Sequence, residues 1–284
     1  MDRTDLRIDA LLPAEMAASA ERIGVRKAEM APVSMFVLAV LAGAFIALGA
    51  IFSTTVSAGT GALPFGVVRL LAGLVFSLGL ILVVVGGAEL FTGNNLIVMA
   101  WASRKVSTRL LLKNWGVVYL GNLVGAVATA AVMFLTAQYS FGRGAVGLAA
   151  LSTAEAKTSL GFVQAVALGV MCNALVCLAV WLTYSARTTS DRILAIVPPI
   201  TAFVAAGFEH SVANMYFIPI GLFIKAGAPP AFWADVGHSA ADFPHLTPAA
   251  FAANLLPVTL GNIVGGGLMV GAIYWFVYLR ASRA

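Results

Sequence analysis

The chain has 284 residues, 61% of them hydrophobic and 10% charged, with a mean hydropathy of +0.96. A soluble domain carries about 25% charged residues, so a water-soluble globular enzyme is excluded, and the ordered apolar blocks exclude a disordered or nucleic-acid-binding chain. The net charge of +5, from 17 Lys and Arg against 12 Asp and Glu, then reads as membrane topology rather than attraction to an anionic polymer, and the length suits one polytopic membrane domain.

The first thirty residues hold eleven charges and no apolar core of the kind a secretory signal needs. After Pro13 the stretch AEMAASAERIGVRKAE mixes small apolar positions with charges of both signs, which predicts a short amphipathic helix on the cytoplasmic face. It reads either as a solvated lead-in or as a gate or docking element for a cytoplasmic partner. A membrane crossing needs about 20 apolar residues, and uncharged runs at 33–56, 115–137, 161–184 and 250–278 meet that length. The runs 70–103 and 193–224 are each interrupted by one acid, Glu89 and Glu209. Their halves read as too short to cross alone, so each pair is taken as one span broken in mid-membrane. Six spans result, the second and fifth discontinuous.

On this count Arg3, Arg7, Arg22, Arg26, Lys27, Arg104, Lys105, Arg109, Lys113, Arg187, Arg192, Arg280 and Arg283 fall on one side, and Arg69, Arg143, Lys157 and Lys225 on the other. Thirteen against four puts both termini in the cytoplasm by the positive-inside rule. Residues 1–30 are then a cytoplasmic N-terminal amphipathic segment, 31–280 a six-span pore domain and 281–284 a cytoplasmic tail. Cys172 and Cys177 lie five residues apart in an apolar run; on a helix they diverge by about 140°, so they read as packing residues rather than as a disulfide or metal pair. The loop residues His238, Asp242 and His245 read as a solvated outer loop, and no metal or other cofactor is expected.

The two breaks resemble each other. GAELFTGNN begins at Gly87 and GFEHSVANM at Gly207, with Gly, Glu and Asn at equal spacing; LGNLVG from Leu120 is answered by LGNIVG from Leu260. Each unit holds three spans, and an odd number inserts the second copy upside down, the inverted-repeat design of many transporters and channels. The fold class is therefore an all-α membrane protein of two inverted three-helix repeats. Irregular backbone survives in hydrocarbon only where protein or a water-lined cavity covers it, so the breaks mark a site near the midplane. The small polar residues Thr92, Asn94, Asn95, Ser211 and Asn214 are suited to meet freed backbone groups, and Gly93 belongs to the first break loop. A half-helix is expected after each break, its positive end favouring an anion.

Glu89, Glu209 and His210 are ionisable residues well inside the apolar runs, and such residues are functional candidates. The equivalent placement of Glu89 and Glu209 suggests a structural task, accepting hydrogen bonds from loop backbone, with substrate handling as the alternative. His210 breaks the symmetry, since the first repeat has Leu90 there; its ordinary pKa of about 6.5 suits proton exchange. Phe76, Leu80, Phe91, Val176 and Phe203 are apolar neighbours of the breaks, candidates for a pore wall or for ordinary core. Nothing supports catalysis: there is no nucleophile elbow, zinc-protease motif or P-loop.

GAELFTGNN, LGNLVGA, MCNALVCLAVW and GFEHSVANMY resemble, in order and spacing, the motifs of the formate/nitrite transporter family, and the two ends of the chain look most like its formate-channel branch. The chain departs from that branch after Thr92, where it reads Gly-Asn-Asn. The resemblance implies an aquaporin-like fold, a homopentamer with one pore per subunit, and transport of formate, or alternatively nitrite, hydrosulfide or lactate, across the bacterial inner membrane. It implies that Phe76, Leu80 and Phe203 form apolar constrictions and that Thr92 and His210 are the central polar pair. Glu209 is then the partner behind the histidine, Asn173 a polar residue of the fourth span and Lys157 a basic residue at the outer mouth. It also implies a role for the N-terminal segment in gating and in contact with a formate-producing enzyme. Of the other classes, an aquaporin-type facilitator of neutral solutes would carry Asn-Pro-Ala pairs where this chain has Gly-Asn-Asn and Val-Ala-Asn. An intramembrane enzyme would need a nucleophile beside His210.

Overall fold

The computed structural model describes residues 10–61 and 63–280; the tail at 281–284 and the first nine residues of the N-terminal segment lie outside them. Among the described residues every regular element is helical. In chain order these are α1 (Pro13–Glu29), α2 (Pro32–Ser57) and α3 (Phe65–Gly86), then a 3-10 turn (Gly93–Ile97) leading into α4 (Val98–Ala102). They continue as α5 (Thr108–Leu135), α6 (Ala145–Thr158), α7 (Phe162–Thr183), α8 (Thr189–Ala206), α9 (Ser211–Gly227) and α10 (Pro230–Val236). Last come α11 (Pro248–Ile263), π-helical turns (Val264–Ala272) and α12 (Ile273–Tyr278). Six stretches are long and apolar enough to cross a membrane: α2, α3, α5, α7, α8 and the run Pro248–Tyr278. Their number matches the six spans read from the sequence, but α3 and α8 cover only the first halves of the second and fifth.

Local chemistry sets the starts. Ser107 accepts the Leu110 amide at the head of α5, Thr247 accepts Ala250 before Pro248 opens α11, and Thr188 forms a capping box with Asp191 before α8; each satisfies amide donors that a first turn leaves orphaned. On α1 the buried positions Met16, Ala17, Ala20, Gly24 and Ala28 recur at helical period, and this face packs on the 3-10 turn, α4, α5 and α12.

The halves repeat in packing as well as in sequence. α2 lies against α3 and α5, α7 against α8 and α11, and α3 crosses α8 between them. The repeat is larger than three spans: α1 packs on the first break as α6 packs on α9, so each copy begins with a docked non-spanning helix.

Two expectations about the breaks are corrected. The first half of the second span is not too short to cross. α3 starts at Phe65 and runs 22 residues, about 33 Å, because Arg69 does not end it. The Arg69 guanidinium donates through Nε to the Ala205 carbonyl and through Nη2 to that of Val204, at the end of α8, so the charge is accommodated inside the helix. Likewise α8 begins at Thr189, with Arg192 in its first turn. The first break leads not into a regular half-helix but into a 3-10 turn and the five-residue α4; only the second break leads into a 17-residue helix.

Each break opens with a glycine in the left-handed region, Gly87 at φ +81° and Gly207 at φ +78°, a helix terminus that side chains other than Gly enter at a cost. The next free amides, of Glu89 and Glu209, reach the Leu38 and Leu168 carbonyls at 3.2 and 3.3 Å. The Phe91 and Ser211 amides and the Glu89 and Glu209 carbonyls are met by asparagine, not by the glutamates as expected from their symmetry. Asn122 Oδ1 accepts the Phe91 amide while its Nδ2 donates to the Glu89 and Ala39 carbonyls, at 2.7–2.9 Å. Asn262 accepts the Ser211 amide and donates to the Glu209 and Gly169 carbonyls, at 2.8–2.9 Å. These are the asparagines of the paired LGNLVG and LGNIVG motifs.

The π-helical stretch carries Gly265, Gly266 and Gly267. A Cβ on Gly266 would overlap Asn173 Nδ2 and lie 2.7 Å from Cys177 Sγ, so α7 packs against bare backbone. Gly266→Ala is expected to lower stability by about 1–3 kcal/mol through overpacking. Asn262→Leu leaves the Ser211 amide and the Glu209 carbonyl without their asparagine partner at roughly 1–3 kcal/mol each, besides the shared Gly169 carbonyl, and is expected to cost more. Thermal unfolding in detergent checks the order; equal melting temperatures for Asn262→Leu and the parent would contradict the role given to Asn262.

Candidate functional site

Two cavities of about 570 and 560 Å³ approach each other from opposite ends of α3. The first is lined by Arg69, Phe76, Lys157, Phe203, Glu209 and His210, the second by Lys27, Leu80, Glu89, Leu90, Gly93 and Asn94. Phe76 and Leu80, each 2% exposed, are one turn apart on α3, so the septum between the cavities is only about 6 Å along that helix. On the Lys157 side the Phe203 ring meets Phe76 edge to face at 5.6 Å and stacks on His210 at 5.9 Å.

Within the septum Thr92 Oγ1 and His210 Nε2 are 3.0 Å apart, both residues buried. His210 is the N-cap of α9, and its Nδ1 accepts the Ala213 amide at 3.0 Å. A backbone amide only donates, so Nδ1 carries the lone pair and Nε2 the proton. Nε2–H therefore donates to Thr92, which leaves the threonine's own hydroxyl proton free for another acceptor. The Thr92 carbonyl is held from behind by Asn173 Nδ2 and Cys177 Sγ, both at 3.2 Å, and Asn173 also donates to the Asn262 carbonyl at 2.7 Å. Cys172 and Cys177 are both free and buried.

Around this pair stand two equivalent clusters, one from each repeat. Lys27 Nζ contacts Glu89 Oε1 at 2.6 Å, Asn94 Nδ2 donates to Glu89 Oε2 and to Asn114 Oδ1, and Asn114 Nδ2 returns to the Lys27 carbonyl. Lys157 contacts Glu209 at 2.7 Å, Asn214 bridges Glu209 and Asn254, and Asn254 returns to the Lys157 carbonyl. In each pair the lysine side chain is more exposed (27% and 14%) than the glutamate (6%), so each cavity faces the cationic end. The copies differ at the lysine. Lys27 also donates to Asn94 Oδ1, whereas Asn214 Oδ1 is buried without a partner and Lys157 sits 5.4 Å from the Phe217 ring centre. Among the described residues Ser211 Oγ, like Asn214 Oδ1, is buried with no partner, although the Ser211 amide is capped.

The charge count groups Lys27 with the solvated cytoplasmic charges; the structure places it in a part-buried ion pair instead. A signal is present in the sequence: Lys27 and Lys157 are separated by 130 residues, as are Leu38 and Leu168, which hold the two breaks. Phe91 packs edge to face on Trp115 and Tyr119, and Val176 is 1% exposed; both line neither cavity. In the loop, His238 pairs with Asp242 and His245 with Glu155. Among the described residues no group of three His, Cys, Asp or Glu is placed to hold a metal.

Residues 14–276 match the formate/nitrite transporter family. The chain is 49% identical over 281 residues, 99% of each chain, to the formate channel FocA of Escherichia coli K12, and 42% identical to that of Haemophilus influenzae over 92% of its own length and 93% of the relative's. It resembles a solved pentameric formate channel with formate bound at a TM-score of 0.84 and 47% identity, covering 88% of this chain and 98% of that one. A second solved structure, an FNT family ion channel, matches at 0.74 and 33% identity over 93% and 98% of the two chains. The protein is thus a multi-pass membrane protein of transport rather than an enzyme, and it belongs to the formate/nitrite transporter family.

Proposed function

We propose that the protein carries small monovalent anions, formate foremost, through the septum between its two cavities, and that the anion takes up a proton at His210 as it crosses. The observation that carries this reading is the buried Thr92–His210 hydrogen bond at a thin apolar septum with a lysine on either side. The formate-channel names of the relatives support the cargo. The pentameric solved neighbour supports a homopentamer. The distribution of Lys and Arg supports an inner-membrane orientation with both termini in the cytoplasm. The pore domain is then 31–280, with α1 docked on its cytoplasmic side, where its outward face is available to a formate-producing enzyme.

Energetics favour the protonated passage. A bare anion in an apolar constriction costs tens of kcal/mol by Born solvation, whereas protonating a carboxylate of pKa about 4 at pH 7 costs about 4 kcal/mol. Lys157 or Lys27 draws the anion in. In the septum the Thr92 hydroxyl and His210 Nε2–H both donate to it. Charging the imidazole takes a proton from the cavity onto Nδ1 and releases the Ala213 amide, a lost helix cap worth about 1 kcal/mol; the larger cost of a buried cation is offset by the anion that pairs with it. Transfer of the Nε2 proton to the anion leaves a neutral ring, which resets by gaining a proton at Nε2 and losing that at Nδ1.

His210→Asn keeps an N-cap acceptor and removes the titrating group. In proteoliposomes with a pH indicator inside, formate uptake by this variant is expected to lose its proton coupling while the protein stays folded; coupling equal to the parent's would remove His210 from the proton step. Thr92→Ala is expected to reduce formate flux about tenfold, the order of one hydrogen bond to a charged group, with nitrite flux followed in parallel. Unchanged flux would leave Thr92 a purely structural residue.

A further inference from the structure

Arg69 is the single charged residue of α3, and the proposed transport steps make no use of it. It shares one face of the helix with Ala72 and Phe76, all three lining the Lys157 cavity, and it stands two turns, about 10 Å, farther from the septum than Phe76. The side-on edge of its guanidinium, Nε and one Nη2 proton, holds the Ala205 and Val204 carbonyls. Those carbonyls end α8, where the helix dipole is negative. The same side chain covers the turn at Gly207, whose added Cβ would lie 3.3 Å from Nη2.

A guanidinium has five N–H donors. The end-on edge, one proton from each Nη, and the second Nη1 proton have no partner among the described residues. Glu209, the nearby carboxylate, is already engaged by Lys157 and Asn214, and does not consume the fork. The end of α8 offsets roughly half a unit of charge, so the cavity retains cationic character at this point. The equivalent position of the second repeat, 120 residues on as for Glu89 and Glu209, is Thr189, so the opposite cavity has no counterpart.

We propose that Arg69 is an anion-recognition point of its own at the mouth of the Lys157 cavity. Its clamped guanidinium presents a planar fork to a planar two-oxygen anion, a small carboxylate above all, before the anion reaches Lys157. Bidentate pairing of this kind needs the flat, fixed geometry of arginine and is not reproduced by an ammonium. The carbonyls of Val204 and Ala205 set the plane of the fork, so the turn that positions His210 and the group that collects its substrate are one assembly. This inference rests on the transport reading and adds a face-specific capture step to it.

The test uses Arg69→Lys, which keeps the charge and loses the fork, with Arg69→Gln, which loses both. Half-saturating formate concentrations are measured in right-side-out and in inverted membrane vesicles, which present opposite cavities to the medium. Arg69→Lys is expected to raise the half-saturating concentration about tenfold when formate is offered to the Lys157 face. From the Lys27 face it should change it less than twofold, with the limiting rate and melting temperature kept. Arg69→Gln should show the same one-sided pattern, at least as large. Arg69→Lys behaving as the parent, or a shift of equal size from both faces, would overturn the proposal; a fall in limiting rate and melting temperature without a one-sided shift would do so too, by making Arg69 only a clamp. Absence of formate flux in the parent protein would instead overturn the transport reading itself, which keeps the two failures apart.

Discussion

A backbone amide or carbonyl left unpaired in an apolar slab costs several kcal/mol, and this chain places two irregular stretches inside apolar spans. The solution is the same at both. A left-handed glycine ends the helix, one amide is handed to a neighbouring span, and a single asparagine, Asn122 or Asn262, meets three further groups. Once the breaks are held in this way, Glu89 and Glu209 are free of backbone duty and can each anchor a lysine and an asparagine. The position of Thr92 and His210 within bonding distance stems from the same two asparagine brackets, because each residue is adjacent to a bracketed amide: Phe91 before Thr92, Ser211 after His210.

Duplication accounts for the frame and departures from it account for the chemistry. Lys27, Glu89, Asn94 and Asn114 are matched one by one by Lys157, Glu209, Asn214 and Asn254. Two of the differences between the copies fall on residues that line the cavities. Leu90 faces one cavity where His210 faces the other, and Arg69 has Thr189 as its counterpart. A symmetric pair of brackets holds the two breaks, and the imidazole stands on one side of the septum only. His210 combines both functions, since the nitrogen that does not face Thr92 caps α9. Its tautomer is thereby set by backbone geometry rather than by a neighbouring charge.

The number of spans, the two interruptions, the inverted repeat and the singular histidine are all legible in the sequence. The reason is the cost of charge in hydrocarbon, which leaves long uncharged runs and makes Glu89, Glu209 and His210 conspicuous. The break asparagines are visible as a repeated motif but not in their task, which the equivalence of the two glutamates suggests for the carboxylates. The start of α3 escapes a charge count, which treats Arg69 as a boundary, whereas the end of α8 supplies it with carbonyl partners.

The apolar runs and their punctuation determined the architecture, since crossing a bilayer is a constraint on each segment alone and can be read segment by segment. Which side chains meet was decided only by the tertiary packing. Lys27 and Glu89 lie 62 residues apart, and Thr92 and His210 118 apart, and no local pattern encodes those distances. The placing of Phe91 on Trp115 and Tyr119 away from both cavities is settled by packing within the first copy, and the proton position on His210 by its own helix start, whereas the Thr92–His210 contact depends on how the antiparallel copies close on each other. That last contact is a property of the interface between the repeats, which neither repeat contains by itself.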